Sequence, residues 1–520
     1  MSLELIKDSI KISRTITRNM AQTIVESDLI VPDSKPDITG ILVLDGDAVV
    51  TGVKVTGDRF TVDGLLNYKI LYTPDDADEN VKSIFSSVNF SHMLDATDGI
   101  DADAISGATI ENIEYNVLNG RKINVRSVVR IDYKVVSYGD YPVAKDIKSD
   151  DEVQVLRSKI ALNTCTMRTE EEFTISESLD VPSGKASVIE ILRNDVSITG
   201  VECKITDNKV QVRGEVNITT LYISDDVSRG LQLMEHGIPF SQFIDLKGIS
   251  EDANCDVSYR INDYSFEIAE DSDGQPRVIN AEIRVGTHLE GYEKADIDLF
   301  EDAYSLRSDI LLDKEEITVD DLFAESRSQI VLKDTLTLTE ENNDIGEVIH
   351  VFSKPLLSGF KITEDKVLLE GSVILSALYE EGSEERKLSG QNQEVPFKHS
   401  VELKGAMPDM ICEVKLEPEH CNYSVASSGE IEVKLGICAN IKVIKHVKLP
   451  VIVKAVELPF DEKKWEGKGS IIVYFCKPGD SLWKVAKKYN SPIEALKTLN
   501  NIDDKERLEP GQQILILRKT

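Results

Sequence analysis

The chain has 520 residues, of which 41% are hydrophobic and 29% charged, and its formal net charge at pH 7 is −33. This composition excludes a fibrous or disordered chain and, at ~100–200 residues per domain, predicts about three to five globular domains. The strongly acidic balance argues against nucleic-acid binding, because phosphate backbones attract basic surfaces.

Sorting signals are not visible in the sequence. The start, Met1-Ser-Leu-Glu-Leu-Ile, lacks the basic region and apolar core of a secretory signal. No apolar run approaches the ~18–20 residues that span a bilayer, so no transmembrane segment is expected. The seven cysteines are scattered and include no Cys-x-x-Cys pair. This pattern is typical of free thiols in a reducing compartment, and we therefore expect a cytosolic protein.

The first 460 residues contain three copies of one pattern. Each copy has a Thr-Gly or Ser-Gly hairpin start, a second glycine, a tyrosine eight residues later and a phenylalanine eighteen residues after that. The period of 150 and then 157 residues indicates whole domains in tandem. The three sets are Gly64, Tyr72 and Phe90; Gly214, Tyr222 and Phe240; and Gly371, Tyr379 and Phe397.

The repeat unit is predicted to be mostly strand. From Val210 to Tyr222 apolar and polar residues alternate, which is the period of a strand with one buried face. Asn208 and Asp365 lie where hairpins must turn, and both residue types tolerate the positive φ required there. The second glycine of each copy indicates a bulge or close packing. The predicted fold class is mainly β, with three antiparallel sandwich- or barrel-like repeats, each large enough for an independent core.

The predicted bounds are 1–147, 148–310 and 311–460 for the three repeats. A charged linker follows at 461–469, and a separate C-terminal module occupies 470–520. These bounds rest on the ends of the repeated pattern and on the charged stretch that precedes the module.

The C-terminal module has the order strand, helix, helix, strand. Apolar residues from Leu482 to Tyr489 have helical spacing, and Asp480 or Ser481 is placed to cap this helix. Ser491 is predicted to cap the second helix through a capping box. A proline-glycine turn then leads into a closing strand at Ile514–Leu517.

This module resembles the LysM family. The resemblance is carried by Tyr474, by Gly479-Asp-Ser-Leu482 and by Leu508-Glu-Pro-Gly-Gln512, whereas Cys476 stands where a valine is usual. It implies a small βααβ fold that binds N-acetylglucosamine polymers, such as peptidoglycan or chitin-like glycans, or in some relatives a protein. Two loops would form the binding site, one before the first helix and one before the last strand. The implied binding residues are Lys477, Pro478, Gly479, Asp480, Ser481, Leu482, Trp483, Arg507, Leu508, Glu509, Pro510, Gly511 and Gln512.

Motifs of a reaction centre are missing from the sequence. It has no Gly-x-x-x-x-Gly-Lys-Ser/Thr, His-Glu-x-x-His or Gly-x-Ser-x-Gly, the motifs of phosphate loops, zinc proteases and serine hydrolases. The group Cys412, His420, Cys421 and Cys438 matches no usual zinc spacing, and buried strand cysteines explain it better. We expect a non-enzyme with no catalytic residue, no metal and no cofactor.

Three β-rich repeats followed by a LysM module resemble the clostridial SipL family of spore-coat morphogenetic proteins, whose repeats are called SPOCS domains. Val-Pro-x-x-Lys loops starting at Val31 and Val181 add to the resemblance. It implies a non-enzymatic scaffold in the mother-cell cytoplasm, at the forespore surface and in the spore coat. It also implies that the LysM module docks on stage IV sporulation protein A, the ATPase of the coat basement layer, alongside other coat proteins.

Two functional hypotheses remain open. In the scaffold hypothesis Trp483 is an exposed anchor for a protein partner, and Lys484, Lys487 and Lys488 supply complementary charge. In the alternative the protein binds peptidoglycan or another N-acetylglucosamine polymer, with an aromatic ring stacked on the sugar. A third possibility for Trp483 is that it merely covers the core of its own module.

Overall fold

The computed structural model describes residues 3–56, 59–76, 80–95, 103–206, 208–226, 230–246, 248–337, 345–382, 387–427, 429–460, 469–502 and 508–517. The predicted linker 461–469 lies outside these ranges except for its last residue. Neither helix in these ranges is long and apolar enough to cross a membrane.

In the residues that the structure describes, each repeat contains six strands. The first contains β1 (Glu4–Ile30), β2 (Ile38–Thr56), β3 (Arg59–Pro74), β4 (Lys82–Asp95), β5 (Asp103–Asn119) and β6 (Lys122–Lys148). The second contains β7 (Val153–Asp180), β8 (Val188–Thr206), β9 (Lys209–Ser224), β10 (Leu231–Asp245), β11 (Asn254–Ala269) and β12 (Val278–Ser305). The third contains β13 (Asp309–Thr337), β14 (Ile345–Thr363), β15 (Lys366–Glu381), β16 (Leu388–Glu402), β17 (Ile411–Ser427) and β18 (Glu430–Leu458).

The strands of each repeat form two antiparallel three-stranded sheets. In the first repeat the orders are β1-β6-β5 and β2-β3-β4, and the other two repeats have the same arrangement. Buried residues of both sheets form a core in each repeat. The prediction of mainly β repeats is confirmed, and in the part of the chain that the structure describes they are sandwiches, with no closed barrel.

The repeated glycine and phenylalanine face each other across the sheet. Gly64 pairs with Phe90, Gly214 with Phe240 and Gly371 with Phe397. A Cβ atom at residue 214 would lie 2.8 Å from the ring of Phe240, so only glycine lets the ring lie across the strand. The prediction of close packing is confirmed. Asn208 and Asp365 have φ of 63° and 62°, as their hairpin turns require.

The three repeats surround a common pseudo-threefold axis. Strands β4, β10 and β16 of one repeat contact β8, β14 and β2 of the next, which closes a ring. The long pairs β1–β6, β7–β12 and β13–β18 also meet at the axis, where all three repeats bury apolar side chains together. The repeats therefore share buried surface in addition to their own cores. One shared cluster consists of Ile12, Val143, Leu162, Ile297, Leu299, Ile317, Val319, Leu449 and Val451.

Charged side chains lie buried at the axis. Lys134, Glu290 and Lys442 occupy the same position in β6, β12 and β18, twelve residues after each strand begins. The Glu290 carboxylate is 3.7 Å from Lys134 Nζ and 2.7 Å from Lys442 Nζ. Glu413 lies 3.2 Å from Lys134 Nζ, and Asp256 lies 2.7 Å from Lys442 Nζ. Burial alone would raise the pKa of Glu290, but the two lysines and His288 hold it well below its ordinary value.

A second buried network joins the repeats through the β2, β8 and β14 strands. The Arg193 guanidinium bonds Asp195 at 2.7 Å and Asp45 of the first repeat at 3.1 Å. It also lies 4.0 Å from the ring centroid of Phe352 in the third repeat. His350 packs against Phe352 with centroids 4.7 Å apart, and burial lowers its pKa to about 4. This network fixes the three repeats relative to one another.

Two cysteines depart from the free-thiol expectation. Cys203 of β8 and Cys255 of β11 form a disulfide that joins the two sheets of the second repeat. The prediction of free thiols is therefore wrong for this pair, because strands distant in sequence bring the two side chains together. Cys165, Cys412, Cys421, Cys438 and Cys476 are free.

The charge pattern at the axis generates a stability prediction. Glu290→Lys would place three buried ammonium groups at one position, so we expect it to lower the free energy of unfolding by about 3–5 kcal/mol. Denaturant unfolding measures the loss. The control Glu282→Lys lies on the exposed face of the same strand, and an equal effect of the two variants would contradict the role of the axis.

His350 generates a prediction about pH. In the folded chain its pKa is about 4, below the ordinary value of 6.5. Between pH 4 and pH 6.5 His350 is therefore protonated in the unfolded chain and neutral in the folded chain. Stability should therefore fall as pH drops from 6.5 to 4, by up to about 3 kcal/mol from this group. We expect His350→Phe to have a shallower loss of stability over this range in denaturant titrations at several pH values. Identical slopes for both proteins would refute the assignment.

Candidate docking site of the C-terminal module

The C-terminal module is a two-stranded sheet covered on one face by two helices. Strand β19 (Ile471–Phe475) pairs antiparallel with β20 (Gln513–Leu517), and α1 (Leu482–Lys488) and α2 (Ile493–Asn500) lie between them in sequence. The predicted βααβ order is confirmed. Its buried residues are Cys476, Val485, Ala486, Leu496, Ile502, Ile514 and Ile516.

The helix ends differ in part from the expectation. Ser481 caps α1 by accepting a hydrogen bond from the Lys484 amide at 3.2 Å. Of the two predicted capping residues, Asp480 and Ser481, the cap is therefore Ser481. The predicted capping box at Ser491 is wrong, because Pro492 occupies the cap position and no side chain makes a capping bond. The Asn500 side chain instead ties α2 to β20 through both backbone polar groups of Leu515.

The two predicted loops lie side by side. The Cys476 amide donates to the Gln512 carbonyl at 2.9 Å, and the Gly511 amide donates to the Cys476 carbonyl at 2.8 Å. Gly479 and Gly511 have φ of 84° and 88°, the left-handed conformation that favours glycine at a turn. Arg507 lies outside the described residues. The loop residues Lys477, Pro478, Gly479, Ser481, Glu509, Pro510 and Gly511 are exposed, and Asp480, Leu482, Trp483, Leu508 and Gln512 are half-buried.

Asp480 organises the first loop from within. Its carboxylate accepts hydrogen bonds from the Lys477 amide at 2.8 Å and from the Tyr474 hydroxyl at 2.7 Å. These bonds hold the pKa of Asp480 below its ordinary value and raise the pKa of Tyr474 to about 12. Lys484 donates to the Gly479 carbonyl at 2.8 Å, and Lys488 lies over the Tyr474 ring at 4.8 Å. The loop is thus preorganised by its own side chains.

Trp483 contacts the second repeat. Its indole ring lies edge-on to Tyr304 with centroids 5.0 Å apart, and its Nε1 donates to Asp302 at 2.9 Å. Lys487 Nζ donates to the same carboxylate at 2.6 Å. Burial opposes ionisation of Asp302, but these two bonds keep its pKa below the ordinary value. Trp483 therefore bridges its own module and the end of β12.

Two further hydrogen bonds attach the module to the second repeat. The contact surface on the second repeat, formed by Asp302, Tyr304 and Ser305, is called the seat of the module. The Tyr304 hydroxyl donates to the Ser491 carbonyl at 2.7 Å, and the Asn490 side chain donates to the Ser305 carbonyl at 2.8 Å. Sequence reasoning missed Asp302, Tyr304 and Ser305, because nothing in their strand pattern distinguishes them from neighbouring residues. The module is therefore attached to the second repeat by more than its linker.

The outer face of the module's sheet is an apolar strip. It consists of five side chains that are 40–63% exposed, three on β19 and two on β20, and Ile471 pairs with Leu517 and Val473 with Leu515 across the sheet. The sequence contains an indication of this strip, because β19 has apolar residues on both faces. A sheet that is covered on one face needs apolar residues on that face only. The strip residues are Ile471, Val473, Phe475, Leu515 and Leu517.

No three metal-ligating side chains converge within the described ranges. The cysteines 412 and 438 that sequence analysis considered as zinc ligands are buried strand residues of the third repeat. This placement agrees with their interpretation as small buried side chains.

Comparison with known families identifies the domains. The family model of the SipL SPOCS domain matches residues 37–118, 187–269 and 344–426, and the LysM domain model matches residues 476–517. The chain has the domain architecture of the SipL family. The SPOCS matches cover β2–β5, β8–β11 and β14–β17 and leave the long strands at the axis outside. This architecture supports a sporulation protein related to the spore coat, with a LysM module. No curated protein and no solved structure gives a significant match.

The seat of the module generates a prediction. In a Trp465→Phe background, Asp302→Ala should expose Trp483 and shift its fluorescence emission to longer wavelength, because the indole loses its acceptor and Lys487 its counter-ion. The loss of these bonds should weaken the attachment of the module to the second repeat by about 1–3 kcal/mol. Asp298→Ala, an exposed residue of the same strand, is the control. Emission that is unchanged by Asp302→Ala would show that the seat does not form in solution.

Proposed function

We propose that the protein is a non-enzymatic spore-coat scaffold in the mother-cell cytoplasm, placed at the forespore surface. Its LysM module docks on stage IV sporulation protein A, the basement-layer ATPase, and its repeats hold other coat proteins. The observation that carries the proposal is the apolar strip, a flat exposed surface on the module's sheet.

The chemistry of the strip favours a protein partner. A glycan offers hydroxyl and amide groups, which need hydrogen-bond donors and acceptors around an aromatic ring. The strip side chains are aliphatic apart from Phe475. Exposed contiguous apolar surface is typical of protein interfaces. The aromatic ring that would stack on a sugar in the predicted site, Trp483, is held against Tyr304 instead.

The acidic ring of repeats suits a scaffold. Its three sandwiches are locked by shared clusters and by two buried ion networks, so surfaces on different repeats keep fixed spacing. Fixed spacing raises the effective concentration of a second contact once the first has formed. A multivalent coat protein gains from both properties.

The alternative function is binding of peptidoglycan or another N-acetylglucosamine polymer. It is favoured by one observation, the preorganised loops at Lys477–Ser481 and Leu508–Gln512, whose backbone groups lie at the surface. In that case the loops rather than the strip would make the contacts that bind the glycan.

A paired capture experiment tests the proposal. The full-length chain should bind immobilised stage IV sporulation protein A and remain in the supernatant with sedimented peptidoglycan. Val473→Glu places a charge in the strip and should weaken capture by about tenfold or more, because a charge buried at an interface without a partner costs more than 1.4 kcal/mol.

Ile189→Glu is the control, since Ile189 is an apolar residue of the second repeat that is 61% exposed, against 46% for Val473, and its replacement should not affect capture. Sedimentation with peptidoglycan combined with failure to bind the ATPase would refute the proposal and support the alternative. Equal capture of both variants would show that the strip is not the docking surface.

A further inference from the structure

The three junctions between repeats are equivalent in topology but not in side chains. At each junction strand β4, β10 or β16 of one repeat contacts β8, β14 or β2 of its neighbour. The position eight residues into β6, β12 and β18 differs between the three repeats. It is Arg130 in the first repeat, Gly286 in the second and Cys438 in the third.

Two of the junctions are closed by side-chain contacts. At the third–first junction, Arg130 donates to the Leu357 carbonyl of β14. At the second–third junction, the Tyr259 hydroxyl donates to Glu417 at 2.8 Å, and Lys415 Nζ lies 3.4 Å from the Tyr259 ring centroid.

The first–second junction is bridged by ion pairs, among them Lys69 with Asp195 at 2.9 Å and Arg168 with Asp103 at 3.3 Å, but it also contains a cavity. Gly286 has no side chain to reach the neighbouring β2 strand, where Val50 occupies the position of Leu357. A cavity of about 1070 Å³ lies here, between the β7-β12-β11 sheet and strands β2–β5. This is the size of a site for a drug-sized molecule or a short peptide. Gly286 lines this cavity, and the Asn262 and Arg260 side chains lie where its Cβ would stand.

The cavity wall is acidic and partly aromatic. Among the described residues, five carboxylates and two basic side chains line it. Lys69 is bonded to Asp195 at 2.9 Å, Glu170 lies 3.2 Å from His288, and Asp263 lies 3.1 Å from Arg284. Phe85 is 55% exposed at the wall, and Tyr264 lies nearby. Carboxylates beside aromatic faces recognise ammonium and guanidinium groups. The lining carboxylates are Asp47, Glu170, Glu171, Glu172 and Asp263.

Two strand edges border the cavity. Residues 105–108 of β5 and 170–172 of β7 line it as consecutive residues, and within the described ranges each of these strands pairs with a neighbour on one side only. Gly107 faces open space where a side chain would stand. A free edge with small residues is a template on which an extended segment can add as a further strand.

We propose that this cavity binds an extended segment of a partner protein that carries lysine or arginine side chains, added as a strand to the edge of β5. The segment's backbone bonds the β5 edge, alternate basic side chains reach Glu170 and Glu172, and intervening apolar side chains cover Phe85. This site is distinct from the LysM module and does not depend on its partner.

The full-length chain and a labelled peptide test the site. The probe is acetyl-Lys-Val-Lys-Val-Thr-Val-Lys-Val-amide, with its affinity followed by fluorescence anisotropy at low and at high salt. Binding should weaken as salt rises, since the contacts are ionic. A peptide with the same side chains but alternate N-methylated amides should not bind, because it lacks the donors for the strand edge.

Two variants locate the binding in the cavity. Gly286→Arg installs the side chain that the first repeat carries at this position and should weaken binding by about tenfold or more. An added Cβ there would lie 2.9 Å from Asn262 Nδ2 and 3.2 Å from Arg260 Nε, so these two side chains must shift to accept it. The double change Glu170→Gln and Glu172→Gln should also weaken binding, whereas Glu282→Gln, exposed on β12 outside the cavity, should not.

Equal affinity of Gly286→Arg and the unaltered chain would overturn the proposal, as would equal binding of the N-methylated peptide. Displacement of the peptide by chitohexaose would also overturn it and indicate a glycan site. The glutamine pair keeps the test decisive if Gly286→Arg fails to fold, because these two side chains are exposed and their replacement conserves size.

Discussion

The pairing of Lys134, Glu290 and Lys442 at the pseudo-threefold axis is the interaction on which the arrangement of repeats depends. Two lysines share one buried carboxylate, and Glu413 and Asp256 balance the remaining charge. Three identical repeats would bring three like charges to this position, which a buried site does not tolerate. Joining the repeats in one chain lets the three positions differ. The same freedom allows Arg130, Gly286 and Cys438 to differ at the junctions.

Differences between repeats also decide where the LysM module sits. Asp302 and Tyr304 of β12 correspond to Asp146 and Lys148 in β6 and to Lys454 and Val456 in β18. The seat needs an acceptor for the indole N–H together with an aromatic hydroxyl that reaches the Ser491 carbonyl. Of the three equivalent strand ends, that of the second repeat alone offers both groups. The charged linker therefore leads to a specific site on the ring.

Local patterns in the sequence predicted the features that depend on residues close together in the chain. Alternation predicted the strands, the Gly214–Phe240 spacing predicted close packing across a sheet, and loop residues predicted the LysM fold. The axis, the module's seat and the cavity depend on residues brought together from different repeats. Lys134 and Glu290, for example, lie 156 positions apart and look like ordinary strand residues. The pairing of Cys203 with Cys255 was missed for the same reason, because it joins two sheets whose relative position no local pattern reveals.

The long strand β12 connects the cavity with the seat of the LysM module, which carries the apolar strip that we assign to a partner. Gly286 lies at the cavity and Asp302 at the seat of the LysM module. At about 3.3 Å per residue, the sixteen intervening steps span roughly 50 Å. Both ends belong to one strand that pairs with β7 along its length and with β11 from Val278 to Tyr292, so the strand fixes the distance between them. A chain that binds one protein at each end therefore holds the two at a defined spacing, which is the mechanical requirement of a scaffold that positions one coat layer on another.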